Sequence, residues 1–140
     1  MSIRETVIEN IVDVLKDMSD PKPILVSREP FDVEKLAITQ FPAILVQSGV
    51  EVRQDTSMTG RIGTISYNIR AFVRGNELDK KKNEIIERIE ETLEADRRRD
   101  TANTKITTQV VQIIPVDRLP PLGEVAVVVE VQYKYTKGTV

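Results

Sequence analysis

The chain has 140 residues, 40% of them apolar and 30% charged, which is the balance of one ordinary globular domain spanning residues 1–140. It contains no cysteine and no histidine, so it offers no disulfide, no thiol nucleophile, and neither the commonest general base nor the commonest zinc ligand. Its formal charge of −2 lacks the basic excess of a duplex-binding protein. We therefore expect no catalytic residue, no metal, no cofactor and no specific nucleic-acid contact.

The N-terminal segment has the pattern of an amphipathic helix. Its first residues lack the apolar core of a signal peptide, and no apolar run in the chain is long enough to span a bilayer, so we expect synthesis in the cytoplasm and no membrane partner. Helical spacing begins near the first residue, and Pro21 and Pro23 end it. The apolar positions of this helix are Ile3, Val7, Ile8, Ile11, Val12, Val14, Leu15 and Met18.

Two short apolar runs follow the helix. Residues 24–26 predict a short strand, and residues 28–40, with Pro30 and scattered charges, predict an ordered loop. Residues 41–46 are apolar on both faces, which predicts a strand in the middle of a sheet, covered above and below. The polar residues 50–60 predict the tip of a long hairpin or a mobile connection.

Strict alternation from residue 65 to residue 73 predicts a long, half-exposed strand. Tyr67 lies on its apolar face, so we expect it in the core. Phe72 lies on the opposite face between Arg70 and Arg74. We expect this aromatic ring to be covered by the first helix or by a neighbouring subunit.

The last third of the chain predicts one more helix and two more strands. Residues 78–93 carry a narrow apolar stripe and are otherwise charged. Residues 109–114 predict a strand that Pro115 ends, and residues 125–135 predict a strand that is apolar on both faces in its first half only. The order α-β-β-β-α-β-β predicts an α+β fold, with a single, mostly antiparallel sheet and two helices packed on it.

Two patterns resemble functional motifs but have better structural explanations. Five glutamates on the second helix could bind Mg²⁺ or divide acid and base roles, but interleaved Lys and Arg residues favour a solvated helix face. Gly60-Arg61-Ile62-Gly63 resembles the GXXG loop of KH domains, which clamps a nucleic-acid backbone, but its place between two strand signals favours a hairpin turn. The five glutamates are Glu84, Glu87, Glu90, Glu91 and Glu94.

Two basic clusters, residues 80–82 and 97–99, could meet phosphates or an acidic protein patch. Aromatic residues that would stack bases are not interleaved with them. Arg97, Arg98 and Arg99 lie at the C-terminal end of the predicted helix, where positive charge complements the helix dipole. Local stabilisation is the favoured explanation, and a partner surface is the alternative.

The whole chain resembles the tail terminator, or tail completion, proteins of long-tailed bacteriophages, a group that includes the lambda minor tail protein U and the neck proteins of contractile tails. The resemblance lies in the order of the predicted elements and in their patterns of apolar and polar residues, and it covers nearly all the residues. It runs from the amphipathic helix through Phe41-Pro42-Ala43-Ile44-Leu45-Val46 and the long polar connection to Tyr67-Asn68-Ile69-Arg70-Ala71-Phe72-Val73. It then continues through the charged helix to the closing Glu130-Val131-Gln132-Tyr133-Lys134-Tyr135.

This resemblance implies a ring, usually a hexamer, at the tail–neck junction of a virion, which caps the tail tube, stops its growth and joins the tail to the head. The implied partners are copies of the chain itself, the tail tube protein, a head-completion or connector protein and, as a further candidate, the tail sheath. Such a ring needs a heterologous interface that closes, and two different ring faces. The candidate interface residues are Arg53, Asp55, Arg61, Arg70, Phe72, Arg74, Arg97, Arg98, Arg99, Glu130 and Lys134.

Three classes of function stay open at this point. A tail terminator, or another neck, connector or tail-tube component, predicts oligomers and no turnover. A polyanion-binding module that uses Arg97, Arg98 and Arg99 predicts binding that weakens steeply with salt. An enzyme that uses the glutamate-rich helix with a divalent cation predicts metal-induced thermal stabilisation.

Overall fold

The computed structural model describes residues 3–95 and 106–136 as two α-helices and five strands. In chain order they are α1 (Ile3–Lys16), β1 (Leu25–Ser27), β2 (Ala43–Asp55), β3 (Gly60–Arg74), α2 (Leu78–Glu94), β4 (Ile106–Val116) and β5 (Leu122–Thr136). Two short 3₁₀ helices, Val33–Lys35 and Ile38–Gln40, lie between β1 and β2. The predicted α+β class and element order are confirmed. The predicted interface residues Arg97, Arg98 and Arg99 lie outside the described residues.

The five strands form one sheet in the order β1-β2-β3-β5-β4, with β3 at its centre. β1 pairs with β2 in parallel, and every other neighbouring pair is antiparallel. Because side chains alternate along a strand, the sheet has an inner face, which carries both helices, and an outer face. β4 forms one edge of the sheet, and β2 forms the other edge beyond the three residues that β1 covers.

The apolar stripe of each helix packs on the inner face of the sheet. Tyr67 lies in this core and is 1% exposed, as its place in the alternation predicted. Burying a large aliphatic side chain stabilises a fold by roughly 1.5–3 kcal/mol. The residues that the two helices bury in this way are Val7, Ile8, Ile11, Val12, Leu15, Ile85, Ile89 and Leu93.

One end of the outer face is covered by the segment between β1 and β2. Phe31, Val33 and Leu36 of this segment pack on Phe72, which is 2% exposed. The ring centroids of Phe31 and Phe72 lie 5.6 Å apart in an edge-to-face arrangement. The expectation that the first helix or a neighbouring subunit covers Phe72 is wrong, because α1 lies on the inner face and a predicted loop supplies the apolar cover.

β2 and β3 form a long hairpin whose turn comprises residues 56–59. Of the polar residues 50–60, which predicted a hairpin tip or a mobile connection, those up to Asp55 belong to β2. Asp55 pairs directly with Arg61. The turn predicted at residues 60–63 is wrong, because these are the first four residues of β3. Polar residues are compatible with strand here because this part of the hairpin is open to solvent, and even Val50 and Val52 are exposed.

β4 is longer than predicted, since residues 106–116 pair with β5. Pro115 lies within the strand rather than ending it. An edge strand allows this because the missing N–H of proline can face the side that has no partner strand. The register shifts between Val110 and Gln112, so Val111 forms a β-bulge. The Glu94 carboxylate of α2 accepts a hydrogen bond from the Val110 backbone N–H at 3.2 Å, which caps the edge just before the bulge.

Candidate interaction surfaces

The predicted interface residues of β2 and β3 fall into two groups near opposite ends of the sheet. The hairpin group comprises Arg53, Asp55 and Arg61, and the second group comprises Arg70, Phe72 and Arg74. Nine positions of β3 separate Arg61 from Arg70, which at about 3.3 Å per residue places the groups roughly 30 Å apart. The two groups therefore belong to separate surfaces.

Glu51 is the centre of a polar cluster at the base of the hairpin. Its side chain is 8% exposed, and one carboxylate oxygen accepts hydrogen bonds from Arg53 Nε at 2.5 Å and from the Tyr133 hydroxyl at 2.7 Å. Arg4 Nε lies 3.1 Å from the other oxygen, in an orientation that makes an ion pair but no hydrogen bond. Burial, together with the hydrogen bond to Glu51, raises the pKa of Tyr133. These contacts join the hairpin to α1 and β5, so Arg53 has a structural role besides its candidacy for an interface.

The remaining candidates on described strands lie next to the hairpin turn and on the outer face of β5. Asp55 and Arg61 form a cross-strand ion pair at 2.7 Å, with side chains 57% and 39% exposed. Because solvent screens an exposed pair of this kind, it contributes little to stability. Glu130 and Lys134 lie on the outer face of β5, where Glu130 is half-buried and Lys134 is exposed. All four side chains have exposed surface that a partner can contact.

At the other end of the outer face, Arg70 and Arg118 share the carboxylate of Glu124. Arg70 Nε donates to one oxygen at 2.8 Å and Arg118 Nε donates to the other at 2.7 Å, and the Glu124 side chain is 2% exposed. Both guanidinium carbons also lie over the Phe72 ring, 5.2 Å and 5.4 Å from its centroid, where cation–π attraction holds them. We call Arg70, Phe72, Arg118 and Glu124 the outer-face cluster.

The charges of the outer-face cluster do not balance. Burial alone would raise the pKa of Glu124, but the hydrogen bonds from Arg70 and Arg118 outweigh burial and lower its pKa, so the group is a carboxylate. One carboxylate against two guanidiniums leaves one positive charge. Each guanidinium hydrogen-bonds to described residues through Nε only, and the two side chains are 29% and 25% exposed. The remaining N–H groups can therefore donate to solvent or to a partner.

Sequence reasoning identified Arg70 and Phe72 but missed Glu124 and Arg118. The sequence pattern could have identified Glu124, because it is a single charge at the start of a strand that is apolar on both faces. A charge that is buried in this way requires a partner. Nothing in the sequence marks Arg118 as that partner, since the contact depends on how residues 117–121 fold.

Arg74 lies at an open pocket of about 300 Å³ near the end of β3 and the first half of α2. Its guanidinium carbon is 6.0 Å from the centroid of the Phe41 ring, and its carbonyl oxygen accepts a hydrogen bond from Lys81 Nζ at 3.0 Å. Apolar walls and charges of both signs therefore meet in this pocket. The described lining residues are Pro21, Ile38, Phe41, Pro42, Val73, Arg74, Lys81 and Glu84.

β4 presents an exposed apolar row along the sheet edge. Val111, Ile113 and Ile114 are 41%, 42% and 39% exposed. Leu119, which follows Arg118 in the connection to β5, is 86% exposed. Sequence reasoning predicted a strand here but missed the exposed row, because the bulge changes which face each following residue occupies.

The predicted glutamate series of α2 lies along its solvent side. Glu91 pairs with Arg88 at 2.8 Å, and Glu94 binds the edge of β4. Within residues 3–95 and 106–136, no group of three or more acidic side chains is arranged to hold a metal ion. Neither helix in this part of the chain has the length and apolar character that crossing a membrane requires.

Tyr67 allows a test of the inner core at alkaline pH. Burial raises the pKa of Tyr67 from 10.0 to about 12. Because the folded chain favours the neutral phenol, this contribution to stability is fully present below pH 10 and is lost as the pH rises through the folded pKa. We expect the free energy of unfolding, measured with urea, to fall less steeply above pH 10 in Tyr67→Phe than in the wild type. An identical slope for the two proteins would contradict this assignment.

Comparison with known proteins supports the fold and does not extend to function. No family model and no curated protein matches the chain. Among solved structures, 31 chains match. One of them, whose name states no function, aligns over 95% of this chain and 94% of its own length, with a TM-score of 0.62 and 7% sequence identity. At that identity the similarity shows a shared fold alone.

Proposed function

We propose that this chain is a structural virion protein, the tail terminator of a long-tailed bacteriophage. In this proposal six copies form a ring that caps the tail tube, stops its growth and joins the tail to the head connector, after assembly in the host cytoplasm. The partners are copies of the chain itself, the tube protein and the connector protein. Other neck, connector or tail-tube components of similar size are the alternatives within the same class.

The exposed apolar row of β4 is the observation that carries the proposal. Ile113 lies opposite Val127 on the inner face and Ile114 lies opposite Ala126 on the outer face, so this edge strand exposes large apolar side chains on both faces. Such exposed apolar surface marks a contact with another protein. The row lies on one edge of the sheet, and β2 forms the opposite edge with different side chains. A contact between the β4 row and a different surface of the next copy is heterologous, and contacts of this type generate a ring when the rotation closes.

The separation of the two charged groups also fits the proposal. A terminator contacts the tube on one side and the connector on the other, so it needs two unlike binding surfaces. The β2–β3 hairpin and the pocket beside Arg74 are such surfaces, and they lie at opposite ends of β3. We assign the hairpin, with Arg53, Asp55 and Arg61, to the tube or to the lumen of the ring.

Negative-stain imaging of the purified protein mixed with tail tubes tests the function directly. We expect rings at one end of the tubes and no further growth of capped tubes when tube protein is added. Rings distributed along the tubes, or tubes that continue to grow, would remove the terminator assignment.

The β4 row can be tested by substitution of Ile113. We expect Ile113→Glu to reduce the ring population at least tenfold, because a charge would be buried against the neighbouring copy, with an unchanged circular dichroism spectrum. Ile24→Glu is the matched control, because Ile24 is 58% exposed and lies outside β4. Light scattering coupled to size-exclusion chromatography measures both. Equal ring populations in the two variants would show that the β4 row is not needed for ring formation.

A polyanion-binding module is the second candidate, and the unbalanced positive charge of the outer-face cluster is the observation that favours it. This function predicts binding of a fluorescent oligonucleotide that weakens steeply as salt rises. It further predicts that the binding is lost in Arg118→Ala.

A further inference from the structure

The outer-face cluster has the properties of a site for a second carboxylate. Arg70 and Arg118 are held in place by the buried Glu124 and by stacking over Phe72, so their orientation is fixed before any partner arrives. The cluster has one positive charge in excess, and its guanidiniums have N–H groups that bond to no described residue. Charge-assisted hydrogen bonds from guanidinium to carboxylate are about twice as strong as neutral ones, so an added carboxylate is the ligand that completes the cluster.

Apolar side chains flank the cluster and give it the composition of a protein contact. Ile114 shares the outer face with Arg70, from which it is separated by Ala126 alone, and it is 39% exposed. Leu119 follows Arg118 and is 86% exposed. Arginines inside an apolar surround are typical of protein–protein interfaces, where the surround excludes water from the charged contact.

The solvent side of α2 carries carboxylates that match this site. Glu84, Glu87 and Glu90 are exposed, and no cation of the described residues forms an ion pair with them. Residues three apart on a helix have Cβ atoms about 5–6 Å apart, so Glu87 and Glu90 are neighbours. Both guanidinium carbons of the cluster lie within 5.4 Å of one ring centroid, so they form one compact site that two neighbouring carboxylates can approach together.

The two surfaces cannot meet within one molecule. α2 packs on the inner face of the sheet through Ile85, Ile89 and Leu93, so its acidic side points away from the sheet. The outer-face cluster lies on the opposite face. A contact between them requires two copies, and it leaves the cluster of one copy and the helix of the other open for further copies, as a heterologous contact must.

We infer that Arg70 and Arg118 of one copy bind Glu87 and Glu90 of the next copy. This inference rests on the proposed function, because it names the contact by which successive copies of the ring are joined. The buried Glu124 acts here as a positioning residue, since it orients both arginines and leaves them with the charge that attracts the neighbouring helix.

Charge reversal on α2 is the primary test, because these side chains are exposed and their substitution leaves the core intact. We expect the double variant Glu87→Lys, Glu90→Lys to lose rings at least tenfold relative to the wild type, as measured by light scattering with size-exclusion chromatography. The matched control is Asp13→Lys, Asp17→Lys, which makes the same change in net charge at two exposed positions near the end of α1 and should form rings as the wild type does.

A mixing experiment distinguishes this contact from a general effect of charge. Arg118→Ala keeps its acidic helix but weakens the cluster, whereas the lysine variant keeps its cluster but loses the acidic helix. Each variant alone should be monomeric, and an equal mixture should form dimers and nothing larger, because one intact contact joins each pair.

Several results would overturn the inference. Rings in the lysine variant at the wild-type level would do so, as would the absence of dimers in the mixture, or a wild type that stays monomeric at every concentration. Oligonucleotide binding that Arg118→Ala abolishes, with oligomers unchanged, would assign the cluster to polyanions instead. Rings that need Glu87 and Glu90 but do not cap tubes would support the inferred contact and contradict the terminator function. Rings of the lysine variant that still cap tubes would support the terminator function and contradict the inferred contact.

Discussion

Replacement of Glu124 by Gln is expected to lower the free energy of unfolding by about 2 kcal/mol, because both arginines lose their buried partner while they keep contact with solvent. Gln has nearly the volume of Glu, so the packing around residue 124 is conserved and the loss is electrostatic. Arg70 and Arg118 would then face each other over Phe72 with no carboxylate between them. Urea unfolding monitored by circular dichroism measures the change.

Glu130→Gln is the matched control for this variant. Glu130 lies on the same strand and the same face, but it is half-buried and has no ion pair among the described residues, so we expect a change below about 0.5 kcal/mol. Equal losses in the two variants would show that the outer-face cluster contributes nothing particular to stability.

The pH dependence gives a second measurement on the same residue. The pKa of Glu124 is lowered in the folded chain, because the hydrogen bonds from Arg70 and Arg118 outweigh burial. A lowered pKa contributes stability that is present above the unfolded pKa and is lost as the pH falls through the folded pKa. The wild type should therefore lose more stability on acidification than Glu124→Gln does, and the two unfolding free energies should converge at low pH.

Replacement of Gly63 by Ala is expected to cost about 3 kcal/mol, at the upper end of the usual penalty for overpacking. A Cβ atom at residue 63 would lie 2.6 Å from Cζ and 2.7 Å from Cε1 of Tyr133, which crosses β3 at this point. The Tyr133 ring cannot move aside easily, since its hydroxyl donates to Glu51 at 2.7 Å and the residue is 1% exposed. Thermal and urea unfolding should both show the loss.

Gly60→Ala provides the control, because it places the same methyl group three residues earlier on the same strand. Its Cβ atom would approach the side-chain oxygens of Ser57 and Thr56 at 2.9 Å and 3.0 Å, and these side chains can rotate away at the exposed turn. We expect a loss below about 1 kcal/mol. If Gly63→Ala were as mild as Gly60→Ala, the Tyr133 ring would not be fixed as described.

Much of the architecture could be predicted because the patterns that define it are local. The helical spacing of α1 and the alternation of β3 each report which side of an element faces apolar surroundings, and both were confirmed, together with Tyr67 in the core. The polar residues 50–55 and the glycines of residues 60–63 were misassigned, because composition suggested a turn. Gly63 is a strand residue that lacks a side chain because the Tyr133 ring occupies the space that a Cβ atom would fill.

The candidate surfaces were harder to predict because they depend on contacts between distant residues. Arg70 meets Glu124 across 54 positions of sequence, and Tyr133 meets Glu51 across 82. The cover over Phe72 comes from residues 31–36, whose apolar side chains show no period. Arg70 and Arg74, which flank Phe72 in the sequence, consequently lie in different surroundings: Arg70 is one of two arginines over the covered ring, and Arg74 lies at a separate pocket.

The bulge at Val111 and the proline at residue 115 bracket Ile113 and Ile114, two exposed apolar residues of β4. A foreign strand could add backbone hydrogen bonds over only a few residues between them, since the bulge disrupts the spacing and proline lacks a donor. This edge consequently resists the open-ended strand stacking that leads to amyloid, even though its side chains are apolar. Association through β4 must rely on side-chain packing, which saturates once a neighbour is in place.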